Sequence, residues 1–357
     1  MDRIDLKRFD SIAPYTPDLN SYRVKLDANE SFLEPSPALA QKLKDMAAEF
    51  DYKRYPDPEA KELCRVFGRV FDVDHKRITV GNGSDELISI VISSLLMPGQ
   101  RLMVLDPDFS MYRFYAERGG IDCIGYEKSA ELEADADDIV KAAQEKEADM
   151  VIFSNPCNPT GRGIERIDII RMVKALSDRA FVVDEAYMDF WDQSVMDMAG
   201  ELPNLIVLRT CSKALGMAGL RVGFAVASRE LTGVFKKCKS PYNVTAFSQQ
   251  AAALALGEPG YLAGCVERIL TSRDRLYSDL KGLETAFPRL IQVNQSRTNF
   301  IIVTSPRAGE IHEGLKKRGV SVRFTEGLLR ITAGSNEEDD ILIAELCEVL
   351  KELEEQK

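Results

Sequence analysis

One lysine of this chain lies in a segment whose composition is typical of a buried site. Lys213 is found in RTCSKALGMAGLRVG (residues 209–223), where the hydroxyls of Thr210 and Ser212 precede it and Arg221 follows. A lysine is far more often a surface charge than a nucleophile. Its amine can nevertheless form a Schiff base with a carbonyl compound, and hydroxyls with a planar guanidinium suit a phosphate group. The segment therefore indicates lysine chemistry beside a phosphate.

Two other segments place polar side chains directly after apolar runs. In DEAY (184–187), Asp184 follows AFVV, and an unpaired carboxylate is costly to bury. Asp184 therefore needs a cationic partner, which is either a ligand or an arginine from elsewhere in the chain. In SNPCNPTG (154–161), the two X-Pro pairs predict a non-helical loop. Asn158 of that loop either points its amide into a crevice or belongs to a structural turn.

The segment GNGSDE (81–86) follows another apolar run and precedes a helical pattern. Its glycines allow a sharp turn, and the first free N–H groups of the helix can bind a phosphate. A plain strand–turn–helix with Ser84 as N-cap is the alternative interpretation. The segment is neither a Walker A loop nor G-x-G-x-x-G, so it gives little support for a nucleotide site.

Seven short apolar runs between residues 77 and 227 predict the strands that position these residues. The runs are RITV, RLMVL, CIGY, DMVIF, AFVVD, LIVLR and RVGFAVA. Amphipathic stretches such as IERIDIIRMVKALSDR separate several of them, which predicts a mostly parallel sheet covered by helices on both faces. Ligands of such α/β sheets bind beyond the carboxyl ends of the strands. We therefore expect the polar residues that follow these runs to meet at one edge.

The length of 357 residues exceeds what one hydrophobic core usually supports. We predict an N-terminal arm with part of a small domain over 1–45, a large domain over 46–255 and a small α+β domain over 256–357. A strongly helical stretch over 244–286, the hairpin-like VSVRFTEGLLRITAG and a last helix support the small domain. In that last helix, apolar residues recur at helical spacing from Leu342 to Leu353.

Composition argues against several functional classes. The chain has 46 basic and 57 acidic residues, a net charge of −11 with no basic run, so nucleic acid and anionic membranes are poor partners. Two histidines cannot form a multi-histidine metal site, and we expect no metal. The longest nearly apolar run, residues 87–97, is too short for a membrane span, and no signal peptide is visible. Seven scattered cysteines without a C-x-x-C pair suit reduced thiols in the cytoplasm.

Pyridoxal phosphate requires a different partner at each of its ends, and the residues above supply them all. Its aldehyde needs a lysine, its ring nitrogen a carboxylate, its ring hydroxyl a donor, and its phosphate N–H groups, hydroxyls and an arginine. The candidates are Lys213 for the aldehyde, Asp184 for the ring nitrogen, and Asn158 and Tyr187 for the ring hydroxyl. For the phosphate they are Ser84, Asp85, Thr210, Ser212 and Arg221. Phe109 in DPDFSMY (106–112) offers a ring to cover the pyridine face.

Eight motifs in order along the chain resemble those of a known family. They are LDANE (26–30), RYPDP (54–58), GNGSDELI, NPCNPTG, DEAY, SKALGMAGLRVG, PYNV (241–244) and LLRITAG (328–334). By these motifs the chain resembles the fold-type I pyridoxal-phosphate aminotransferases and, within them, the histidinol-phosphate aminotransferases. The resemblance implies that Lys213 forms the Schiff base with the cofactor and carries the proton as general acid and base. It also implies the cofactor contacts just given, with Phe109 where the family often has a tyrosine.

The resemblance further implies substrate residues and a partner. Arg330 matches the arginine that takes the α-carboxylate of glutamate, and we expect Arg323 and Tyr15 to help it bind the phosphate of histidinol phosphate. Tyr55 of RYPDP matches a tyrosine that reaches the cofactor phosphate of the partner subunit, which implies a homodimer. A turn tyrosine at Tyr55 and a surface residue at Arg323 are the alternative interpretations.

The implied activity is amino-group transfer between L-glutamate and imidazole-acetol phosphate in histidine biosynthesis. Threonine-phosphate decarboxylase and an aromatic amino acid aminotransferase are the alternatives on the same scaffold. A ligand-sensing protein without catalysis is a third alternative, but such regulators carry an added DNA-binding domain, for which the residues before 26 leave no room.

Overall fold

The computed structural model describes residue 18, residues 20–325 and residues 327–356. The α-helices of these residues are α1 (Pro37–Ala48), α2 (Lys61–Phe71), α3 (Gly83–Leu95), α4 (Met111–Gly119), α5 (Ala136–Glu145), α6 (Arg166–Ala175), α7 (Arg229–Cys238), α8 (Ala246–Gly257), α9 (Tyr261–Ala286), α10 (Ala308–Lys317) and α11 (Asn336–Glu355). Among them, none combines the length and the apolar character that crossing a bilayer requires.

Two sheets form the framework. The larger contains β2 (Ile78–Asn82), β3 (Arg101–Asp106), β4 (Asp122–Glu127), β5 (Met150–Ser154), β6 (Ala180–Asp184), β7 (Leu205–Thr210) and β8 (Val222–Val226), in the order β2-β8-β7-β6-β5-β3-β4. Strand β8 is antiparallel to both of its neighbours, and the other pairs are parallel. The predicted α/β fold with a mostly parallel seven-stranded sheet is therefore confirmed.

Burial on both faces explains why the central strands are apolar without interruption. In β6, Phe181 and Val183 belong to one hydrophobic cluster and Val182 to the cluster on the opposite face. The same alternation places Val207 in the first cluster and Leu208 in the second. Side chains of a strand alternate between faces, so a sheet covered by helices on both sides needs apolar residues at every position.

The smaller sheet contains β1 (Val24–Leu26), β9 (Gln292–Asn294), β10 (Phe300–Thr304), β11 (Val320–Thr325) and β12 (Leu328–Thr332). Its order is β1-β11-β12-β10-β9, and only the β1–β11 pair is parallel. The predicted hairpin is the antiparallel β11–β12 pair, and the predicted spacing in the last helix is the buried face of α11. The division into domains at residues 45 and 255 remains a prediction, although β1 belongs to a sheet formed mainly after residue 290.

A fourth hydrophobic cluster joins the two sheets next to the carboxyl ends of β6 and β7. It contains Tyr187 and Ala214, which follow these strands, together with Phe300 of β10 and Leu328 of β12. Residues that follow the large sheet are thus held against strands of the small sheet.

Candidate active site

The carboxyl ends of three adjacent parallel strands bring the central candidates together. Asn158 follows β5, Asp184 ends β6, and Lys213 follows β7. Strands β5, β6 and β7 are neighbours in the sheet, with Ser154 opposite Asp184 and Asp184 opposite Leu208. The expectation that these residues share one edge of the sheet therefore agrees with the topology.

Lys213 lies between the large sheet and the segment that follows β1. Its Nζ donates to the backbone oxygen of Ala28 at 3.3 Å and lies 5.6 Å from the centre of the Tyr187 ring. The side chain is half-buried, with the fully buried Ala214 beside it in sequence. The amine is thus held in a partly dry cleft, where it is available to a ligand.

Asp184 is a buried carboxylate. The residue is 3% exposed, and no lysine or arginine among the described residues forms an ion pair with it. Its Oδ2 accepts from the Tyr112 hydroxyl at 2.9 Å and its Oδ1 from the Ala186 N–H at 3.1 Å. Burial raises the pKa of Asp184 to about 7, against the lowering effect of these bonds. A cationic ligand would restore the ionised form, as the ring nitrogen of pyridoxal phosphate would.

The buried arginine near Asp184 pairs with other carboxylates instead. Arg209 of β7 donates to Glu185 at 3.1 Å and also to Asp189, and all three side chains are at most 10% exposed. This network occupies the face of the sheet ends opposite the Tyr112 contact. The sequence left open whether an arginine pairs with Asp184. Arg209 pairs instead with Glu185, the residue that follows Asp184.

The start of α3 and strand β8 form a cradle too tight for a side chain. A Cβ at Gly223 would lie 2.5 Å from the Ser84 nitrogen, and one at Gly83 would lie 2.5 Å from Arg221 Nη2. The N-cap of α3 is Asn82, whose side chain makes no capping bond, so the interpretation of Ser84 as N-cap is wrong. The first N–H groups of α3, including those of Ser84 and Asp85, are thus available to an anion.

The hydroxyls and the guanidinium of the predicted phosphate set are placed around this cradle. Thr210 Oγ1 donates to Ser212 Oγ at 2.9 Å and accepts from the Ser212 N–H at 3.1 Å. Thr210 lies opposite Gly223 in the β7–β8 pair. Arg221 adopts a left-handed conformation (φ 52°) and contacts Asp85 Oδ2 at 3.1 Å. These residues converge on the N-terminus of α3.

Asn158 and Arg330 contact each other across the two sheets. Arg330 of β12 donates to the Asn158 side-chain oxygen and to the Asp27 backbone oxygen, the second at 2.7 Å. Because its oxygen is occupied, the Asn158 amide nitrogen is the end that can donate to a ligand. This bond links the loop after β5 to the predicted substrate arginine.

Two arginines face each other in the small sheet. Arg323 of β11 and Arg330 of β12 are directly opposite in the antiparallel pair, and both are half-buried. Directly opposed residues lie on the same face, and like charges there are destabilising unless an anion lies between them. The pair is therefore suited to a carboxylate or phosphate.

Phe109 precedes α4, and Tyr112 lies in the first turn of that helix. Phe109 is half-buried and packs edge-to-face on Tyr112, with 5.6 Å between ring centres. Tyr112 is fully buried and reaches Asp184, so Phe109 lies on the same side of the sheet end as that carboxylate. This position is compatible with a ring over a cofactor bound at Asp184.

The remaining predicted residues lie apart from this group or outside the described residues. Tyr55 is 81% exposed and stacks on Tyr242, itself 49% exposed, with 4.6 Å between ring centres. Tyr15 lies outside the described residues.

Sequence reasoning missed two residues that contact the site. Tyr112 was not proposed, although it follows Phe109 by one helical turn and its hydroxyl bonds Asp184. Asn29 belongs to LDANE, which was used only as a family motif, and its amide bonds the Tyr187 hydroxyl at 2.7 Å. The spacing from Phe109 was a signal for Tyr112, whereas nothing in the sequence signalled the contact of Asn29.

The chain is similar to known proteins over nearly its whole length. The family model of aminotransferase class I and II matches residues 21–346. The chain is 36% identical over 342 residues to a histidinol-phosphate aminotransferase of Clostridium novyi (strain NT), covering 94% of each chain. It is 38% identical over 335 residues to one of Thermoanaerobacter pseudethanolicus, covering 92% of this chain and 93% of the relative.

A solved structure has a similar fold along the whole chain. It is the histidinol-phosphate aminotransferase of Sinorhizobium meliloti in complex with pyridoxal-5'-phosphate. The TM-score is 0.89 at 23% sequence identity, and the match covers 99% of both chains.

Proposed function

Because the chain belongs to the class I and II aminotransferases, in the histidinol-phosphate aminotransferase family, we propose that it transfers an amino group between L-glutamate and imidazole-acetol phosphate. The product of the second substrate is L-histidinol phosphate, and the reaction belongs to histidine biosynthesis. The observation that carries this function is the similarity to named relatives over more than nine-tenths of both chains. The cofactor is pyridoxal phosphate.

The cofactor, when bound, supplies an aldehyde that takes up the amino group and a ring that withdraws electrons from the substrate. Lys213 holds it through Nζ and moves a proton to and from the substrate Cα as general base and acid. Asp184 keeps the ring nitrogen protonated. The unpaired burial of this carboxylate, with Tyr112 and Ala186 fixing its two oxygens, supports that role.

The ring oxygen is bound by Asn158 and Tyr187. Arg330 donates to the Asn158 side-chain oxygen, and no described residue accepts from its amide nitrogen, which can therefore donate to the ring oxygen. The Tyr187 hydroxyl accepts from Asn29, so its own proton is available to donate. Phe109 covers the ring face and excludes water from it.

The phosphate is bound at the N-terminus of α3. The N–H groups of Ser84 and Asp85 donate to it, since the Asn82 side chain leaves the helix uncapped. The hydroxyls of Thr210 and Ser212 and the guanidinium of Arg221 complete the set.

Arg330 and Arg323 bind the anionic groups of the substrates. Their opposition across β11 and β12 supports a shared anion site that takes the carboxylate of glutamate and the phosphate of histidinol phosphate in turn. Tyr15 assists at the phosphate.

The working unit is a homodimer in which Tyr55 reaches the cofactor phosphate of the partner subunit. The exposure of Tyr55 and of the stacked Tyr242 supports a surface that a second copy covers. The enzyme works in the cytoplasm, which its seven free cysteines support.

Purified protein with pyridoxal phosphate, histidinol phosphate and 2-oxoglutarate tests the substrate assignment. We expect glutamate to form, and to form faster than with phenylalanine or tyrosine as amino donor. The same preparation is incubated with phosphothreonine. Release of CO₂ from phosphothreonine without glutamate from histidinol phosphate would establish the decarboxylase instead, and faster turnover of aromatic amino acids would establish the aromatic aminotransferase.

A further inference from the structure

Asn29 lies between the small sheet and the tyrosine proposed to bind the cofactor ring oxygen. It is 1% exposed and adopts a left-handed conformation (φ 54°), which asparagine tolerates better than most residues. Its backbone N–H donates to Thr332 Oγ1 at 3.1 Å, and its backbone oxygen accepts from Asn299 at 3.2 Å. Its side-chain nitrogen donates to the Tyr187 hydroxyl at 2.7 Å. Asn29 therefore ties β12 to Tyr187.

The hydrogen-bond partners define which way the Asn29 amide points. Thr332 Oγ1 accepts from the Asn29 N–H, and its own proton is donated to Asn29 Oδ1 at 3.2 Å. With the amide turned over, the buried Thr332 hydroxyl would lose this acceptor and gain no other among the described residues. The nitrogen of the amide is thus the end that faces Tyr187.

This orientation determines where the Tyr187 proton goes. A phenol oxygen can accept hydrogen bonds and has one proton to donate. Because Tyr187 Oη accepts from Asn29, its proton must be directed elsewhere, and no described residue accepts it. The ring of Tyr187 is held edge-to-face on Phe300, with 5.4 Å between ring centres, so the hydroxyl cannot swing to another position without repacking. The proton is therefore available to a ligand bound beside Lys213, whose Nζ lies 5.6 Å from the centre of the Tyr187 ring.

We infer that Asn29 is a positioning residue that directs the Tyr187 proton toward the cofactor ring oxygen. The inference rests on the proposed cofactor contacts of Tyr187 and Lys213. The backbone next to Asn29 is fixed by the site itself, since the Ala28 oxygen accepts from Lys213 at 3.3 Å and the Asp27 oxygen from Arg330 at 2.7 Å. Asn29 is thus the point at which the small sheet controls the electrostatics of the cofactor ring.

The consequence is measurable at the nitrogen of Lys213. A donor at the ring oxygen stabilises negative charge there, and without it that charge holds a proton on Lys213 Nζ more tightly. The pH at which the absorbance of the bound cofactor changes should then rise. A hydrogen bond to a charged group corresponds to about one pH unit. The other charged groups around the cleft, Asp184, Asp27 and Arg330, are unchanged in every variant below.

The test is an absorbance titration of the cofactor-bound protein with Asn29→Gly, Tyr187→Phe and the double variant. Glycine removes the amide without adding charge and tolerates the positive φ. We expect Tyr187→Phe to raise the midpoint by about one pH unit and Asn29→Gly by about half of that, because the tyrosine keeps a free proton. In the double variant, we expect the midpoint of Tyr187→Phe alone, since Asn29 acts through Tyr187.

Asn29→Asp provides a second variant of nearly the same shape. Aspartate can accept but not donate a hydrogen bond, so it should accept the Tyr187 proton and reverse the direction of this bond. The part of the midpoint shift that disappears when Asn29→Asp is combined with Tyr187→Phe measures this reversal. Asn204→Gly is the matched control. Asn204 directly precedes β7, at the end opposite Lys213, and donates to the backbone oxygens of three residues. Its loss should lower stability without moving the midpoint.

Three results would overturn the role of Asn29. The first is an unchanged midpoint in Asn29→Gly, and the second is the same rise with and without the Tyr187 hydroxyl. An unchanged midpoint in Tyr187→Phe would overturn it as well, by removing the bond through which Asn29 acts. The proposed substrate is tested separately, because the titration needs bound cofactor only. Failure to form glutamate from histidinol phosphate would therefore refute that substrate and leave the Asn29 result standing.

Discussion

At the scale of single residues, Asp184 is a buried carboxyl whose ionisation depends on its surroundings. Burial raises the pKa of its carboxyl to about 7, because the two hydrogen bonds that it accepts do not compensate for lost hydration. In the unfolded chain the same carboxyl has its ordinary pKa near 4. The folded protein without cofactor therefore binds a proton more tightly than the unfolded chain between these two pH values.

This difference predicts a pH-dependent effect of Asp184→Asn on the cofactor-free protein. A raised pKa in the folded state stabilises it at low pH, and that contribution is lost as the pH rises from about 4 to about 7. The variant has no carboxyl at this position, so its stability does not fall in this way. The free energy of unfolding of the variant minus that of wild type should therefore be larger at pH 8 than at pH 5. Denaturant unfolding at the two pH values measures it, and an equal difference at both would contradict the burial of an unpaired carboxyl. The variant should also bind pyridoxal phosphate more weakly.

Residue types out of their usual context were the ones that sequence could identify. Lys213 among small apolar residues and Asp184 after an apolar strand both require an unusual partner, and that requirement pointed to a cofactor. Tyr112 and Asn29 have ordinary residue types for their positions. Their partners Asp184 and Tyr187 lie 72 and 158 residues away in sequence, so only the fold shows that they meet.

At the scale of elements, the junction of β2, α3 and β8 forms the proposed phosphate site by close backbone approach. Gly223 of β8 lies against the backbone of Gly83 and Ser84, and no side-chain rotation can relieve a clash there. The site therefore depends on the absence of a side chain in a strand as much as on the groups that donate to the phosphate.

Gly223→Ala should push the first turn of α3 away from β8. We expect the dissociation constant of pyridoxal phosphate to rise at least about tenfold, since the loss of one hydrogen bond to a charged group is sufficient for this. Binding is measured by the absorbance of the bound cofactor at increasing cofactor concentration. Gly233→Ala in α7 is the matched control, because a Cβ there meets nothing within 4 Å. Equal affinity of the two variants would show that the cradle does not bind the phosphate.

The strands of the large sheet were predictable because burial on both faces requires apolar runs. Strand β1 was not predicted, because Val24–Leu26 is too short to show a pattern and pairs with Val320–Val322 near the other end of the chain. The helix predicted after GNGSDE begins earlier, at Gly83 within that segment. The local hydrophobic pattern thus predicted the elements that contain many buried residues. It failed where pairing with a distant segment or the backbone conformation determines the position of an element.

At the scale of the whole molecule, the exposed pair Tyr55 and Tyr242 bears on the proposed homodimer. The two rings stack on each other, and aromatic residues are enriched in protein–protein interfaces. If Tyr55 completes the site of a partner, each site of the dimer uses residues of both chains. The protein should then have a mass of about 80 kDa in solution, twice that of the 39.9 kDa chain.

Mixed dimers test this sharing. Lys213→Ala and Tyr55→Ala should each have low activity alone. After the two are refolded together, half of the dimers are mixed, and each mixed dimer has one site with an intact lysine and an intact tyrosine. About a quarter of the wild-type sites should therefore recover. An activity no higher than the average of the separate variants would place Tyr55 in the site of its own chain or outside it.

Lys213 is the residue on which the proposed chemistry depends, and its link to the cofactor can be trapped. Borohydride reduction of the cofactor-bound protein, followed by digestion and mass spectrometry, shows which lysine holds the pyridoxyl group. We expect the label on the peptide that contains Lys213 and its loss in Lys213→Ala. Lys128 is the informative comparison, because its side chain is 5% exposed and its Nζ donates to the backbone oxygens of Leu105 and Pro107, close to Phe109. A label on Lys128, or one that survives in Lys213→Ala, would contradict the assignment of Lys213.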